Sequence, residues 1–236
     1  MRNNQLINFV LITLISIFLG IQVSGFTTKA QSIPDDISSS DLLMYTQGHK
    51  TNYTPFYFRT HRYSTNLSRR YINRVVQSEY HYINVARHYQ EKGVNPLHFN
   101  YQLSHLAKLR ARQASHRFSH YSSNGQLMNC LDATRFHWGT YRQNQHNLGE
   151  NMCKTAKLVR FKADHRTAGY YFKAPQALAS TNVYDLVNND AASHWTHGIN
   201  IMTNRNRYIG IGTYYNRHNH SLYILSEFSN YKPRLR

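Results

Sequence analysis

Asn188–Met202 reads NNDAASHWTHGINIM. His194 and His197 lie three residues apart around Trp195, with Asp190 seven residues before His197 and Asn200 three residues after it. Dense polar chemistry thus runs straight into an apolar exit, Ile199-Asn200-Ile201-Met202. One earlier stretch looks like its partner, Leu148-Gly149-Glu150-Asn151-Met152. These two stretches, with His120, are expected to line one cleft.

The elements around them follow from periodicity. From Arg69, the residues Ile72, Val75, Val76, Ile83 and Ala86 fall on one face at helical spacing, and Gly93 and Pro96 stop the pattern. A second helix starts near Asn100, a good N-cap, and buries Leu103, Leu106, Ala107, Ala111, Ala114 and Phe118. Its other face carries Lys108, Arg110, Arg112 and Arg117 and reads as a solvated helix surface. Met128–His146 reads as a long aromatic loop with at most one helical turn. Ala174–Asn189 is helical, with Pro175 suited to its first turn. Arg207–Tyr215 and Ser221–Phe228 read as two strands of a hairpin buried on both faces. Gly210 and Gly212 would let another element approach that hairpin closely.

Composition bounds the partners. The chain has 236 residues with 28 Lys+Arg against 11 Asp+Glu, a formal charge of +17. An excess of this size favours polyanions. Met1–Gly25 narrows the choice. Arg2 precedes a nearly continuous apolar run, Leu6–Ile21, and Val23-Ser24-Gly25 offers small residues for cleavage, with Thr28-Lys29-Ala30 as a second option. That is the layout of a secretory signal peptide, expected over residues 1–30; the run is short for a membrane anchor. Export points to anionic wall polymers or a cell surface and away from nucleic acid, with no transmembrane span left after cleavage. Residues 31–68, rich in Ser, Thr and Tyr, read as a flexible arm, residues 69–229 as the folded domain and residues 230–236 as a basic tail, mobile from Lys232 on. In an exported chain Cys130 and Cys153 could pair, a bridge worth roughly 3 kcal/mol in the chain-entropy model, or remain two thiols.

The order of features carries a resemblance. A helix pair joined through Gly93-Val94-Asn95-Pro96-Leu97 leads to His120. Gly149-Glu150-Asn151 follows, then His197-Gly198-Ile199-Asn200-Ile201-Met202 before Tyr208-Ile209-Gly210-Ile211-Gly212. This resembles the CAP superfamily of cysteine-rich secretory proteins, antigen 5 and pathogenesis-related 1, and is most similar to its bacterial secreted branch. The resemblance covers roughly Arg69–Ser229. It implies an α+β fold, an α-β-α three-layer sandwich with a small antiparallel sheet. It also implies a cleft lined by His120, Glu150, His197 and a further acid. Asp190 is the nearest such acid and Asp185 the other candidate, while Asp190 is equally suited to cap the following turn.

Two imidazoles and a carboxylate suit zinc or another divalent metal, and a metal-bound water would make a hydrolase-like centre. Against an enzyme, the sequence has neither a His-Glu-x-x-His pair nor a Gly-x-Ser-x-Gly elbow. The plainer reading of the same residues is a hydrogen-bonded cluster tying sheet to helices. The leading functional expectation is a non-enzymatic secreted module bound to an anionic surface. The alternative is a metal-dependent hydrolase or metal-binding protein using the same cleft. Lipid or sterol binding, which the resemblance also implies, has no specific residue behind it here.

Overall fold

In a computed structural model of the chain, residues 26–30, 63–64, 67–88, 94–155, 158–160, 169–190 and 193–234 are described. Residues 1–25 of the expected signal peptide and most of the expected arm lie outside them. Eight strands and six helices follow in chain order among these residues: β1 Phe26–Ala30, β2 Tyr63–Ser64, α1 Arg69–His88, β3 His98–Phe99, α2 Tyr101–His116, α3 Met128–Arg135, α4 Tyr141–Asn147, β4 Leu148–Thr155, β5 Leu158–Arg160, β6 Gly169–Phe172, α5 Pro175–Asn188, α6 Thr196–Met202, β7 Tyr208–Asn216 and β8 Ser221–Ser229. No described helix is long and apolar enough to cross a membrane.

The architecture is the expected α+β sandwich. A central five-stranded sheet runs in the order β1-β4-β8-β7-β3, and a smaller sheet runs β2-β6-β5. The central sheet is antiparallel except where β3 lies parallel to β7, pairing His98 with Tyr208 and Phe99 with Ile209. It is therefore mixed, and wider than the hairpin visible in the sequence. Its far edge is β1, whose Phe26–Ala30 pairs with Thr155–Asn151 of β4.

Strand alternation divides the core into two layers. On one face Tyr71, Val75 and Ile83 of α1 meet Leu178, Val183 and Leu186 of α5, Ile199 and Met202 of α6, and Cys153, Ile209 and Ile224 of the sheet. On the other face Ala107, Ala111 and Ala114 of α2 pack on Met152, Tyr223 and Leu225. Removing a side chain such as Ile83 or Leu225 from water contributes about 1.5–3 kcal/mol. The small residues on α2 allow its backbone onto the sheet. A Cβ at Gly210 would overlap the backbone of Leu103 and Ser104, and one at Gly212 the backbone of Ala107 and Lys108.

The helix signals act as read. Asn100 Oδ1 accepts from Leu103 N at 2.9 Å at the start of α2. Pro175 opens α5. Met128–His146 departs from its reading as a loop, because it forms α3 and α4. Thr140 and Gln143 make a reciprocal capping box at the start of α4, at 3.2 and 2.9 Å. Just past β8 the chain remains bonded to the domain. Asn230 Nδ2 bonds Asn147 Oδ1 at 2.9 Å, Tyr231 Oη bonds Trp138 O at 3.3 Å, and Pro233 is buried.

Cys130 and Cys153 are buried, unpaired thiols, so the bridge does not form. Cys153 points into the α1–α5 layer. Cys130 sits on α3 within reach of the charges of Glu227, Glu150 and Arg110, which belong to the opposite layer. The sheet itself separates the two sulfurs. Burial first, then neighbouring carboxylates, pushes both thiols well above their ordinary value, which leaves them poor nucleophiles.

Candidate functional site

β4 positions the first group of functional side chains. Successive strand residues face opposite layers, so Glu150 points toward α2 while Asn151 points toward α6. Arg110 comes down from the middle of α2 to meet Glu150, with Nε to Oε2 at 2.8 Å and Nη2 to Oε1 at 3.0 Å. The fork continues to Gln113 Oε1 at 2.6 Å and Ser119 O at 3.1 Å. His120, just past the end of α2, places Nδ1 2.6 Å from Glu150 Oε1. All three are almost fully enclosed: Arg110 is 1% exposed, Glu150 0% and His120 2%.

A second carboxyl completes this group. Glu227 of β8 lies directly opposite Glu150 in the sheet register and is also 0% exposed. Two carboxylates so placed do not both ionise. Burial raises Glu150, but Arg110 and then His120 outweigh it and hold its carboxyl far below the usual range. Burial, the adjacent Glu150 charge and the hydrogen bond to Glu150 push Glu227 well above its ordinary value. Glu227 therefore carries the proton. As a carboxylate its Oε1 has no hydrogen-bond partner; as an acid it donates to Glu150. Asn129 Nδ2 donates to Glu227 Oε2 at 3.1 Å. The group has one guanidinium, one carboxylate, one carboxylic acid and one imidazole, with the acid carboxylate as common acceptor.

The second group belongs to the α5–α6 junction. Asp190 Oδ1 accepts from His197 Nδ1 at 2.6 Å, and Oδ2 accepts from the backbone N–H of His197 at 2.8 Å and of Gly198 at 3.3 Å. Trp195, at the N-cap of α6, has φ of 63° and makes no side-chain cap. Asp190 caps the helix in its place and orients the imidazole as well, so both roles weighed for it are filled at once. Asp185 is not the partner; it bonds Asn189 at 2.8 Å, and burial raises it. Asn200 ties this group to the sheet through Asn151 Oδ1 at 2.9 Å, and Asn151 Nδ2 donates to His197 O at 3.0 Å. Gly149 keeps space for it, since a Cβ there would lie 2.6 Å from Asn200 Oδ1.

The four residues expected as one metal set thus stand as two imidazole–carboxylate pairs, His120–Glu150 and His197–Asp190, with β4 between the element each pair rests on. Each carboxylate stands behind its imidazole as an orienting acceptor, and its remaining oxygen is spent on Arg110 or on backbone N–H groups. Among the described residues no three His, Cys, Asp or Glu side chains gather where they could hold a metal ion. In both pairs the contact to the carboxylate is made through the imidazole Nδ1. His194 is exposed and stands outside both pairs.

Sequence reasoning missed Arg110, Glu227 and a third buried acid, Glu79. Glu79 on α1 accepts from Asn182 Nδ2 of α5, and burial pushes its carboxyl up to about 8. Glu79 Oε2 and Asn182 Oδ1 are both buried without a hydrogen-bond partner. The signal was available for Glu79, which falls on the apolar stripe between Val75 and Ile83. For Arg110 and Glu227 it was not, because only the strand register shows what they face.

No protein-family model matches the chain, and no curated protein matches it. Among solved structures it is similar to BmVAL-1, at 15% identity over 72% of this chain and 82% of that chain, with a TM-score of 0.35. It is also similar to NaASP2, a structure solved with Zn2+, at 12% identity over 71% of this chain and 85% of that chain, with a TM-score of 0.36. Overlaps this loose do not distinguish a shared family from a shared arrangement of helices and strands.

Proposed function

We propose that the chain is a secreted CAP-type domain that works as a non-enzymatic binding module for anionic polymers of a cell surface. The observation that carries this reading is the division of charge between interior and surface. Among the described residues Glu79, Asp132, Glu150, Asp190 and Glu227 are buried, Asp185 is half-buried, and no acidic side chain is exposed. The exposed charges there are basic, among them Arg74, Lys108, Arg112, Arg117, Arg142 and Arg217. A surface of one sign holds polyanions through screened attraction.

The family part of the reading rests on the order of His120, Gly149-Glu150-Asn151, His197 and the Gly210–Gly212 strand within a three-layer α-β-α sandwich. Burial of every imidazole and carboxylate at those positions favours binding over catalysis, because a buried, internally bonded group is not offered to a substrate. Export rests on the apolar leader. Cleavage after Gly25 would keep β1 in the sheet, whereas cleavage after Ala30 would remove it.

The test is retention of purified protein on isolated bacterial walls, intact or stripped of phosphate polymers, across a salt series. Retention should fall at least tenfold between 50 and 300 mM salt, on the order expected for several released counterions, and should be lost on stripped walls. Binding unchanged by salt or by stripping would refute the proposal.

A further inference from the structure

α1 and α2 flank β7 on its two faces without closing over its outer edge, and the gap between them is a groove of about 670 Å³. Val76 and Tyr80 of α1 form one wall, Tyr101 and Lys108 of α2 the other, and Ile211 and Thr213 of β7 the floor. Tyr101 is 81% exposed, the one large hydrophobic side chain so exposed among the described residues. The groove is mainly apolar, with its charge at Lys108. Arg112 lies one helical turn beyond Lys108, and Arg69 one turn before Asn73, another lining residue.

The floor has a second property. β3 pairs with β7 only through Ile209, the last contacts being Asn100 N to Ile209 O at 2.8 Å and then Ser104 Oγ, which takes Ile211 N at 3.2 Å. Among the described residues no strand pairs with β7 on this side beyond that point. Along β7 the carbonyls of Arg207 and Ile209 and the N–H of Ile211 point outward, toward β3 and α2. Strand alternation turns the backbone groups of Thr213, a lining residue, the same way. An unpaired strand edge is a template for another extended chain.

We propose that this groove binds an extended peptide segment of a partner protein, added as a strand to the edge of β7, with alternating apolar and acidic side chains. The backbone of the guest pairs with β7 beyond Ile211. Its apolar side chains lie against Val76 and Tyr80 on one wall, and its carboxylates face Lys108 and Arg112 on the other, beside Tyr101. The alternation follows from the pleat, which sends successive guest side chains to opposite sides. Lys108 and Arg112 also belong to the basic surface proposed to hold polymers, but the backbone pairing along β7 does not depend on that reading.

The experiment uses the full chain and a labelled eight-residue peptide of alternating Glu and Val, followed by fluorescence anisotropy. Three controls accompany it: the same peptide N-methylated at alternate residues, a Lys-Val peptide, and linear polyphosphate. The Glu-Val peptide should bind, and its N-methylated twin should bind at least tenfold more weakly. Lys108→Glu and Tyr101→Ala should each weaken it at least fivefold, and wall retention of Tyr101→Ala should stay within twofold. Amide shifts on peptide addition should centre on Ile211–Tyr215, which serves if a variant fails to fold. Equal binding of the N-methylated twin, displacement by polyphosphate with amide shifts elsewhere, or no binding at all would overturn the proposal. Sedimentation that changes with Tyr101→Ala in the absence of peptide would assign the groove to a second copy and overturn it as well.

Discussion

Glu79→Gln should stabilise the protein, and the gain should depend on pH in a way that identifies its cause. In the fold the Glu79 carboxyl is fully enclosed and burial raises it from 4.5 to about 8. In the unfolded chain it ionises near its ordinary value. Between these two values the folded state holds a proton that the unfolded state has released, so stability falls as pH rises through that window. At 1.36 kcal/mol per pH unit, the loss reaches about 3 kcal/mol by pH 7 and levels off above pH 8. Below pH 4 both states are protonated and the loss vanishes. A glutamine at this position never has to hold that proton. Its amide oxygen still accepts from Asn182 Nδ2. Urea unfolding of both proteins at pH 4, 5.5, 7 and 8.5 measures the difference, and subtraction cancels every other titrating group. The variant should match the wild type at pH 4 and exceed it by up to about 3 kcal/mol at pH 7. A difference that is flat with pH, or a variant less stable at pH 7, would refute the reasoning.

Arg110→Met removes the counter-charge of Glu150 in a dry site and should cost about 3–5 kcal/mol, read by chemical denaturation, since an unpaired buried charge remains. Restoring neutrality with Glu150→Gln in the same chain should recover a large part of that loss; a double variant as unstable as the single one would count against the pairing. Gly212→Ala places a methyl group into the backbone of α2 at Ala107 and Lys108, so it should yield insoluble or unfolded protein, while Gly125→Ala, with open space around it, should remain folded and lose no more than the cost of its positive φ. Both thiols should be inert to a thiol reagent in the native protein and react fully in denaturant, and intact mass should show no loss of two hydrogens.

The elements with long apolar repeats were legible in the sequence. α1, α2, α5 and the β7–β8 hairpin bury one face or both in a regular pattern, and their caps, Asn100 and Pro175, are the residues that local backbone chemistry demands. α3 and α4 were not legible, because α4 buries only Asn144 and its start depends on the Thr140–Gln143 box rather than on hydrophobicity. The width of the sheet was hidden as well. β3 has two residues, and β1 lies in a stretch whose composition reads as a leader. At the site, the resemblance singles out His120, Glu150, His197 and Asp190 as one set, and the structure joins them as two hydrogen-bonded pairs. Their pairing needed the pleat of β4, which sends Glu150 and Asn151 to opposite layers. Arg110 was read as a solvated cation because periodicity treats every arginine as polar; a guanidinium can lie inside when a carboxylate meets it.

The central claim is that His120 and His197 are held separately, by Glu150 and by Asp190; that they serve as internal ties rather than as ligands of one centre is a proposal. Long-range proton–nitrogen correlation spectra of the two imidazoles, before and after one equivalent of zinc, address it directly. The account expects each ring to carry its proton on Nδ1 and neither ring's nitrogen signals to move with zinc. Both imidazoles moving together to metal-bound positions at one equivalent would contradict it.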